Sequence, residues 1–215
     1  MKLDEDFRRE VVLADGARVT LRMVRPDDKD ELKRQFLRLS PGSRYRRFLT
    51  ATPELSDDAL RYLTEVDGTD HVAILATADT LDLKAEVGLG IGRFVRLKDE
   101  PDVAEAAVTV IDEAQQRGIG RLLLAALTEA ALERGVRVFR AVVLAENAPI
   151  RRILDDAGAR VREQDGASLV FDVDLAPRPG APPDEAPLSE DRDHPLWRLL
   201  RIAAQSLLAI RFGRP

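Results

Sequence analysis

An apolar strand that runs into a glycine-containing loop and then into a helix constrains this chain more than any other feature. The segment is residues 108–124, VTVIDEAQQRGIGRLLL, with glycines at 118 and 120 where the helix begins. The first amides of a helix have no intrahelical acceptor and carry partial positive charge. Glycines at that point let a ligand approach the backbone closely, so the segment predicts a phosphate or pyrophosphate site.

Two nucleotide-binding motifs of similar appearance are excluded. The dinucleotide fingerprint requires a third glycine, but Leu123 occupies that position. The P-loop requires Gly-Lys-Ser/Thr, which is absent from this segment. Arg117 and Arg121 flank the glycines and can add cationic contacts to a phosphate. The ligand is therefore predicted to carry phosphate without being bound in either of these two ways.

Composition narrows the chemistry further. The 215 residues include no cysteine and 2 histidines, which excludes disulfides, thiolate metal sites and a cysteine nucleophile. A multi-histidine metal site is also disfavoured, so we expect no metal. The net charge of −5 argues against nucleic acid as a partner, whereas it permits a cationic acceptor such as an amine.

Hydrophobic periodicity and turn signals predict one domain over residues 1–175. The spacing of glycines at 88, 90 and 92 within a strand indicates bulges or the close approach of another backbone. The predicted strands are 17–25, 71–77, 85–97, 103–111, 136–144, 159–162 and 168–174, and the predicted helices are 28–39, 43–49, one capped by Ser56, 118–134 and 147–157.

Composition shifts after the domain. Residues 176–194 are predicted to be a proline-rich linker, and residues 195–215 an amphipathic C-terminal helix. Docking of this helix on its own domain or on a second copy in a homodimer is favoured, with membrane-surface contact and a partner protein as alternatives. Residues 1–10 lack an apolar leader and no run reaches the ~18 apolar residues of a spanning helix, so we expect a cytoplasmic protein.

The loop supports a family resemblance. Gln115-x-x-Gly118-x-Gly120, preceded by the strand at 108–110, resembles the acetyl-CoA motif R/Q-x-x-G-x-G/A of the GNAT superfamily of N-acetyltransferases. The order of elements from 17 to 174 is similar as well. The resemblance implies an α/β (α+β) fold, with a mixed, mostly antiparallel sheet of six to seven strands flanked by helices. It also implies acetyl-CoA as the acyl donor and an amine as the acceptor.

The resemblance also implies the residues that bind acetyl-CoA. Val108 and Val110 would pair through their backbones with the pantetheine arm, and the Val110 amide would polarise the thioester oxygen. Asn147 opens a segment similar to the second cofactor element of the family, although a helix-capping role for it is equally favoured. The full implied set is Val108, Thr109, Val110, Gln115, Gln116, Arg117, Gly118, Ile119, Gly120, Arg121, Asn147 and Arg151.

A narrower resemblance concerns the acceptor. Residues 39–48, LSPGSRYRRF, together with residues 53–56 and His71, are similar to the acetyltransferase domain of bacterial protein-lysine acetyltransferases. That resemblance implies a protein lysine as the acceptor, on a partner such as an acyl-CoA synthetase. Helix packing is the favoured role for Arg44 and Tyr45, and a core position is favoured for His71.

Glu105 is the predicted general base. It interrupts the apolar strand 103–111, ten residues before Gln115, and resembles the glutamate that GNAT lysine acetyltransferases place on this strand. Burial in an apolar strand would raise its pKa, which suits a base near neutral pH. Asp112 and Glu113 are the rival bases. Leu154 stands where many GNAT enzymes place a tyrosine acid, so no side-chain general acid is assigned.

Three functions remain open at this point. The favoured one is a protein-lysine acetyltransferase, and the second is a small-molecule amine acyltransferase of the same fold. The third is a non-catalytic module that senses CoA. Glu105 favours the enzymes, whereas Leu154 favours the module.

Overall fold

The computed structural model describes residues 3–48, 54–79, 86–145, 151, 154 and 159–175. The predicted linker and C-terminal helix lie outside the described residues, as does most of the predicted helix at 147–157. The described elements are β1 (Arg8–Val12), β2 (Arg18–Met23), α1 (Lys29–Leu37), α2 (Pro41–Phe48), α3 (Asp57–Thr64), β3 (His71–Asp79), β4 (Glu86–Arg96), β5 (Val103–Val110), α4 (Ile119–Glu133), β6 (Val138–Leu144), β7 (Arg160–Asp165) and β8 (Ser168–Asp174).

The strands form one eight-stranded sheet in the order β1-β2-β3-β4-β5-β6-β8-β7. Every neighbouring pair is antiparallel except β5 and β6, which are parallel. The predicted fold class is confirmed, with one strand more than expected. The additional strand is β1, whose sequence RREVV gave no apolar signal because it is an edge strand with most of its side chains in solvent.

Helices cover both faces of the sheet. On one face α4 contributes Leu123 and Leu127, which are completely buried. On the other face α1 and α3 contribute Phe36 and Leu60, which pack with Leu75 of β3. Since side chains alternate along a strand, β5 presents its even-numbered residues to α4 and its odd-numbered residues to α1–α3. Within the described part of the chain, no helix is long and apolar enough to cross a membrane.

Three predicted boundaries are confirmed by local geometry, whereas α2 begins at Pro41 rather than at the predicted residue 43. Ser56 caps α3, with its hydroxyl accepting from the Ala59 amide at 3.2 Å. Gly135 follows α4 in the left-handed region at φ +77°. Gly166, also at positive φ, lies in the turn between the paired strands β7 and β8.

The glycines of β4 mark both a close approach of another backbone and a bulge, the two features that their spacing predicts. A Cβ atom on Gly90 would lie 2.7 Å from the Thr109 carbonyl oxygen, so β5 approaches β4 too closely there for any side chain. The register between β3 and β4 shifts between Ala76 and Thr77, which pair with Gly90 and Gly88. That shift is a bulge of β4, next to the position where Gly90 pairs with Val110 of β5.

Candidate active site

A gap opens between β5 and β6. The two strands pair only over Val103–Glu105 with Val138–Arg140, whereas β6 stays paired with β8 as far as Leu144. Residues 106–110 of β5 therefore have no strand partner on the β6 side. The closed end of the gap is fixed by Arg140, whose guanidinium forms ion pairs of 2.7 and 2.8 Å with Glu100 and Asp172.

The backbone of β5 points hydrogen-bonding groups into this gap. The amide of Ile111 donates to the Leu89 carbonyl at 3.0 Å, so it points towards β4. Because successive amides of a strand point to opposite sides, those of Val110 and Val108 point away from β4 and into the gap. This is the orientation that pairing with an extended pantetheine arm requires.

The predicted phosphate site is the loop and helix N-terminus at residues 115–121, called the cradle below. It lies at the open end of the gap. Gly118 is the N-cap of α4 in the left-handed region, at φ +87°. The first helical hydrogen bond runs from Leu122 to Gly118 at 3.1 Å, so the amides of residues 119–121 precede it. A Cβ atom on Gly118 would meet nothing within 4 Å, which leaves the space before these amides open to a phosphate.

Gln115 braces the loop that leads into the cradle. Its side-chain amide donates to the Val110 carbonyl at 3.0 Å and to Asp112 Oδ1 at 2.9 Å. Gln116 follows with a positive φ of 64°, which turns the chain into the helix. The contribution of Gln115 in this structure is therefore to shape the loop and to hold the end of β5.

The two arginines of the loop differ in availability. Arg117 donates to Asp15 at 2.8 Å, and this hydrogen bond lowers the pKa of Asp15. Arg121 has a buried Nε atom without a hydrogen-bond partner among the described residues. Arg121 is thus the better placed of the two to meet a phosphate. The side chain of Ile119 is buried in the core, so only its backbone can contribute.

Three further residues were predicted to contact the cofactor: Thr109, Arg151 and Asn147. Thr109 has a buried hydroxyl with no partner in the described part of the chain, and it faces the α1–α3 side. Arg151 is exposed and donates to the Ala145 carbonyl at 3.2 Å. Asn147 lies outside the described residues.

Glu105 lies at the closed end of the gap, as the last residue of β5 paired with β6. Its side chain is exposed, although β5 is an interior strand. No hydrogen bond or ion pair of Glu105 is found within the described ranges. Val108 is three residues away, about 10 Å of extended strand, whereas Val110 is about 17 Å away. The Val108 amide therefore suits a reaction at Glu105 better than the predicted Val110 amide.

The rival bases are engaged elsewhere. Asp112 accepts hydrogen bonds from the Ser40 amide, the Ser43 hydroxyl and Gln115. A backbone hydrogen bond and then the bond from Arg38, at 2.7 Å, lower the pKa of Glu113. The side chain at position 154 is a leucine buried in the core, which agrees with the absence of an assigned acid there.

A cavity of about 50 Å³ lies on the α1–α3 face, near Glu105. Two arginines line it, Arg47 of α2 and Arg93 of β4, and neither was singled out from the sequence. The available signal was Arg93, the one charged residue in the apolar stretch 87–95. Other lining residues are Gln35, Phe36, Phe48, Leu63, Ile91 and Thr109.

Of the residues predicted to pack near this face, Arg44 packs as expected, whereas Tyr45 is 44% exposed and His71 is not fully in the core. Arg44 lies over the Phe36 ring with its guanidinium carbon 4.5 Å from the ring centre. His71 is half-buried, stacks on Tyr62 at 4.9 Å and lies 2.8 Å from an Arg93 nitrogen. Burial, followed by the charge of Arg93, lowers the pKa of His71 to about 4. His71 is therefore neutral near pH 7.

A splayed pair of parallel strands beside a glycine cradle at a helix N-terminus defines an acyl-CoA-binding fold. The family model "Acetyltransferase (GNAT) domain" matches residues 18–160, more than half of the chain, and the chain belongs to that family. Members of that family are acetyltransferases. Among the described residues no group of His, Cys, Asp or Glu side chains is arranged to hold a metal ion.

Two curated relatives are similar in sequence. Acetyltransferase Pat of Mycolicibacterium smegmatis is 34% identical over 173 residues, which cover 80% of this chain and 50% of that protein. Acetyltransferase PA5475 of Pseudomonas aeruginosa is 34% identical over 140 residues, covering 65% of this chain and 73% of that protein. The chain thus spans half the length of the first relative.

Two solved structures are similar in fold. The GNAT domain of S. lividans PAT superposes with a TM-score of 0.68 at 29% identity, covering 78% of this chain and 96% of that domain. The acetyltransferase yncA of Salmonella typhimurium, solved with its cofactor acetyl-CoA, has a TM-score of 0.56 at 17% identity, covering 78% of this chain and 99% of that one. The second likeness shows the fold alone.

Proposed function

We propose that this enzyme acetylates a lysine side chain of a protein, with Glu105 as the general base. The observation that carries the proposal is an accessible carboxylate at the closed end of the β5–β6 gap, free of any partner in the described part of the chain. An exposed base suits an acceptor presented on the surface of another protein. The resemblance of residues 39–48 to protein-lysine acetyltransferases supports the same acceptor.

The chemistry follows from this placement. Glu105 takes a proton from the lysine ammonium, through water where the amine does not touch the carboxylate. The neutral nitrogen attacks the thioester carbonyl, and the amide of Val108 donates to the oxygen that becomes negative. The carbon–sulfur bond then breaks and CoA leaves as the thiolate, while the nitrogen releases its second proton to water as the neutral amide forms. The thiolate leaves without a side-chain acid, since a thiol is acidic enough to do so.

The backbone supplies the binding that this reaction needs. The amide of Val110 pairs with the pantetheine arm in place of a neighbouring strand, while that of Val108 is kept for the thioester oxygen. The N-terminus of α4 and Arg121 hold the pyrophosphate. Contacts from Asn147 and Arg151 complete the proposed set.

The test is acetylation of a lysine-containing peptide by wild type and by Glu105→Gln. We expect the variant to lose about 100-fold in kcat, the usual contribution of a general base, with an unchanged Kd for acetyl-CoA. Glu163→Gln is the matched control, because Glu163 is also an exposed glutamate on a strand, at the far edge of the sheet. Equal rates for wild type and Glu105→Gln at pH 7 would remove Glu105 from the mechanism.

A further inference from the structure

Arg47 and Arg93 meet at the cavity without a carboxylate between them. Arg93 is 5% exposed, and its hydrogen bonds go to neutral groups, His71 Nε2 at 2.8 Å and the Leu63 carbonyl at 2.9 Å. Its Nε atom is buried without a partner in the described ranges. Arg47 lies over the Phe48 ring at 5.1 Å, and no ion pair of either arginine occurs among the described residues.

Two buried guanidinium groups without a counter-ion are unfavourable for the protein alone. A buried charge costs free energy unless it is paired. Burial, and then the charge of Arg47, lowers the pKa of Arg93 to about 10, so Arg93 remains charged near pH 7. His71 is neutral there and supplies no negative charge. Glu105 acts on Arg47 only at a distance, as an exposed carboxylate.

The cavity has the size of a small anion site, and its polar lining residues, Gln35, Arg47, Arg93 and Thr109, stand among apolar ones that include Leu32, Leu39, Leu55 and Ile111. Its volume of about 50 Å³ admits a group of a few heavy atoms, since a water molecule needs about 10–15 Å³ on this scale. The unpartnered buried hydroxyl of Thr109 adds a neutral donor to the two arginines. Guanidinium groups bind carboxylates through paired hydrogen bonds, and a carboxylate fits this space.

The anion site lies beside the proposed base. In the register of β4 and β5, Arg93 is opposite Ala107, and Glu105 is opposite Val95. Arg93 and Glu105 are therefore diagonal neighbours on one face of the sheet, about 7–8 Å apart. One molecule can therefore contact both sites. Its amine lies at Glu105, and its acidic group lies at the two arginines, one position away on the sheet.

We propose that Arg47 and Arg93 bind a carboxylate of the amine acceptor and so select acceptors that carry one close to the reacting amine. This inference rests on the proposed function, because it takes Glu105 as the place of the amine. In a protein acceptor the carboxylate belongs to an acidic residue next to the target lysine. In a free amino acid it is the α-carboxylate.

Turnover tests the selection directly. The acceptors are the blocked dipeptides acetyl-Glu-Lys-amide and acetyl-Gln-Lys-amide, and free lysine beside lysinamide. We expect wild type to prefer the acidic member of a pair by about tenfold or more in kcat/KM, the range of a charged hydrogen bond. Arg47→Met should remove that preference. Arg61→Met is the control, because Arg61 is an exposed arginine of α3 outside the cavity.

The two pairs of acceptors distinguish the sources of the carboxylate. Preference for the glutamyl dipeptide assigns the site to an acidic residue of a protein. Preference for free lysine alone assigns it to an α-carboxylate. Equal turnover within both pairs overturns the carboxylate site and leaves the proposed function standing.

Binding without turnover separates the two proposals. N-acetyl-glutamate amide has a carboxylate but no amine to acetylate, and N-acetyl-glutamine amide is its neutral match. In an NMR titration of the CoA-bound protein we expect saturable shifts with the first compound, lost in Arg47→Met. If neither dipeptide is acetylated while this binding persists, the lysine acceptor fails and the carboxylate site holds. Identical titrations with the acidic and neutral compounds overturn the site. Arg47→Met is used because Arg47 is less buried than Arg93.

Discussion

Ser43 donates a hydrogen bond of 2.7 Å to Asp112, which joins the first turn of α2 to the segment between β5 and the glycine cradle. Asp112 also accepts from the Ser40 amide at 2.8 Å and from Gln115. One carboxylate therefore connects the acceptor-side helix to the loop that shapes the cosubstrate site. Acetyl-CoA binding and the position of α2 are coupled through these bonds.

Asp112→Asn should weaken both sides of this connection. The amide keeps one acceptor oxygen in place of two and loses the charge, so hydrogen bonds to Ser43, Ser40 and Gln115 cannot all persist. We expect a loss of about 1–3 kcal/mol in the free energy of unfolding and a weaker affinity for acetyl-CoA. Chemical denaturation and calorimetric titration measure the two effects.

Glu113→Gln is the neighbouring control. Glu113 is exposed, and its ion pair with Arg38 lies at the surface. Surface pairs contribute about 0–1 kcal/mol, so this variant should bind acetyl-CoA as wild type does. Equal effects of the two substitutions would show that Asp112 has no special connecting role.

Gly118→Glu should abolish acetyl-CoA binding. The new side chain would begin in the open space before the first amides of α4, where the pyrophosphate is proposed to lie. Its carboxylate would repel the phosphates as well as occupy their place. Calorimetric titration with acetyl-CoA gives the result directly.

Gly135→Glu controls for backbone strain. Gly135 has a φ of +77°, close to that of Gly118, and a Cβ atom there would also meet nothing within 4 Å. Both variants incur the left-handed penalty of about 1–2 kcal/mol, but Gly135 lies at the opposite end of α4. Retained binding in Gly118→Glu, or its loss in both variants, would contradict the assignment of the cradle.

Gly90→Ala should destabilise the site, whereas Gly92→Ala should be tolerated. The added methyl lies 2.7 Å from the Thr109 oxygen at Gly90, and 3.5 Å from its nearest neighbour at Gly92. The first contact forces β4 and β5 apart, at a cost of about 1–3 kcal/mol in the free energy of unfolding. Thermal unfolding of the two variants compares them, and equal midpoints would mean that the strands can separate freely.

His71 predicts a pH dependence of stability. The folded protein holds the pKa of His71 at about 4, against an ordinary value of 6.5. Between these values the unfolded chain binds the proton and the folded protein does not, so stability falls as the pH is lowered through this window. At about 1.4 kcal/mol per pH unit the full shift corresponds to about 3 kcal/mol, and solvent screening of the half-exposed ring reduces the loss to about 1–2 kcal/mol.

His71→Gln should flatten that part of the curve. The carboxyl groups of Asp28, Glu86 and Asp172 have pKa values below their ordinary ones, so their contributions are lost mainly below the histidine window. The difference between wild type and variant in denaturant unfolding at pH 7 and pH 4.5 isolates His71. Parallel curves for the two proteins would argue against a protected neutral histidine.

The sequence predicted the fold where the signals are local. Ser56 has an N-cap hydroxyl, Gly135 a left-handed end, and Asp165-Gly166 a tight turn, and each fixes an element by its own chemistry. The edge strand Arg8–Val12 could not be predicted, because its polar side chains give no alternation and only pairing with β2 makes it a strand.

The candidate site, too, was predictable from the sequence only where a local motif marks it. Gly118 and its neighbours carry a local motif that predicts the cradle. The exposure of Glu105 and the meeting of Arg47 with Arg93 depend on how α2 packs across the sheet, which no short pattern encodes. The nearness of Val108 rather than Val110 to the proposed base likewise follows from the end of the β5–β6 pairing.

The short pairing of β5 with β6 has a consequence for how the enzyme responds to its donor. The contacts proposed for the backbone of β5 and for the cradle are to parts that acetyl-CoA and free CoA have in common, so we expect the protein to bind both with similar affinity. Each turnover leaves free CoA bound in the gap. It must dissociate before the next acetyl-CoA binds. We therefore expect the rate to follow the ratio of acetyl-CoA to free CoA. Turnover would then respond to the supply of acetyl groups.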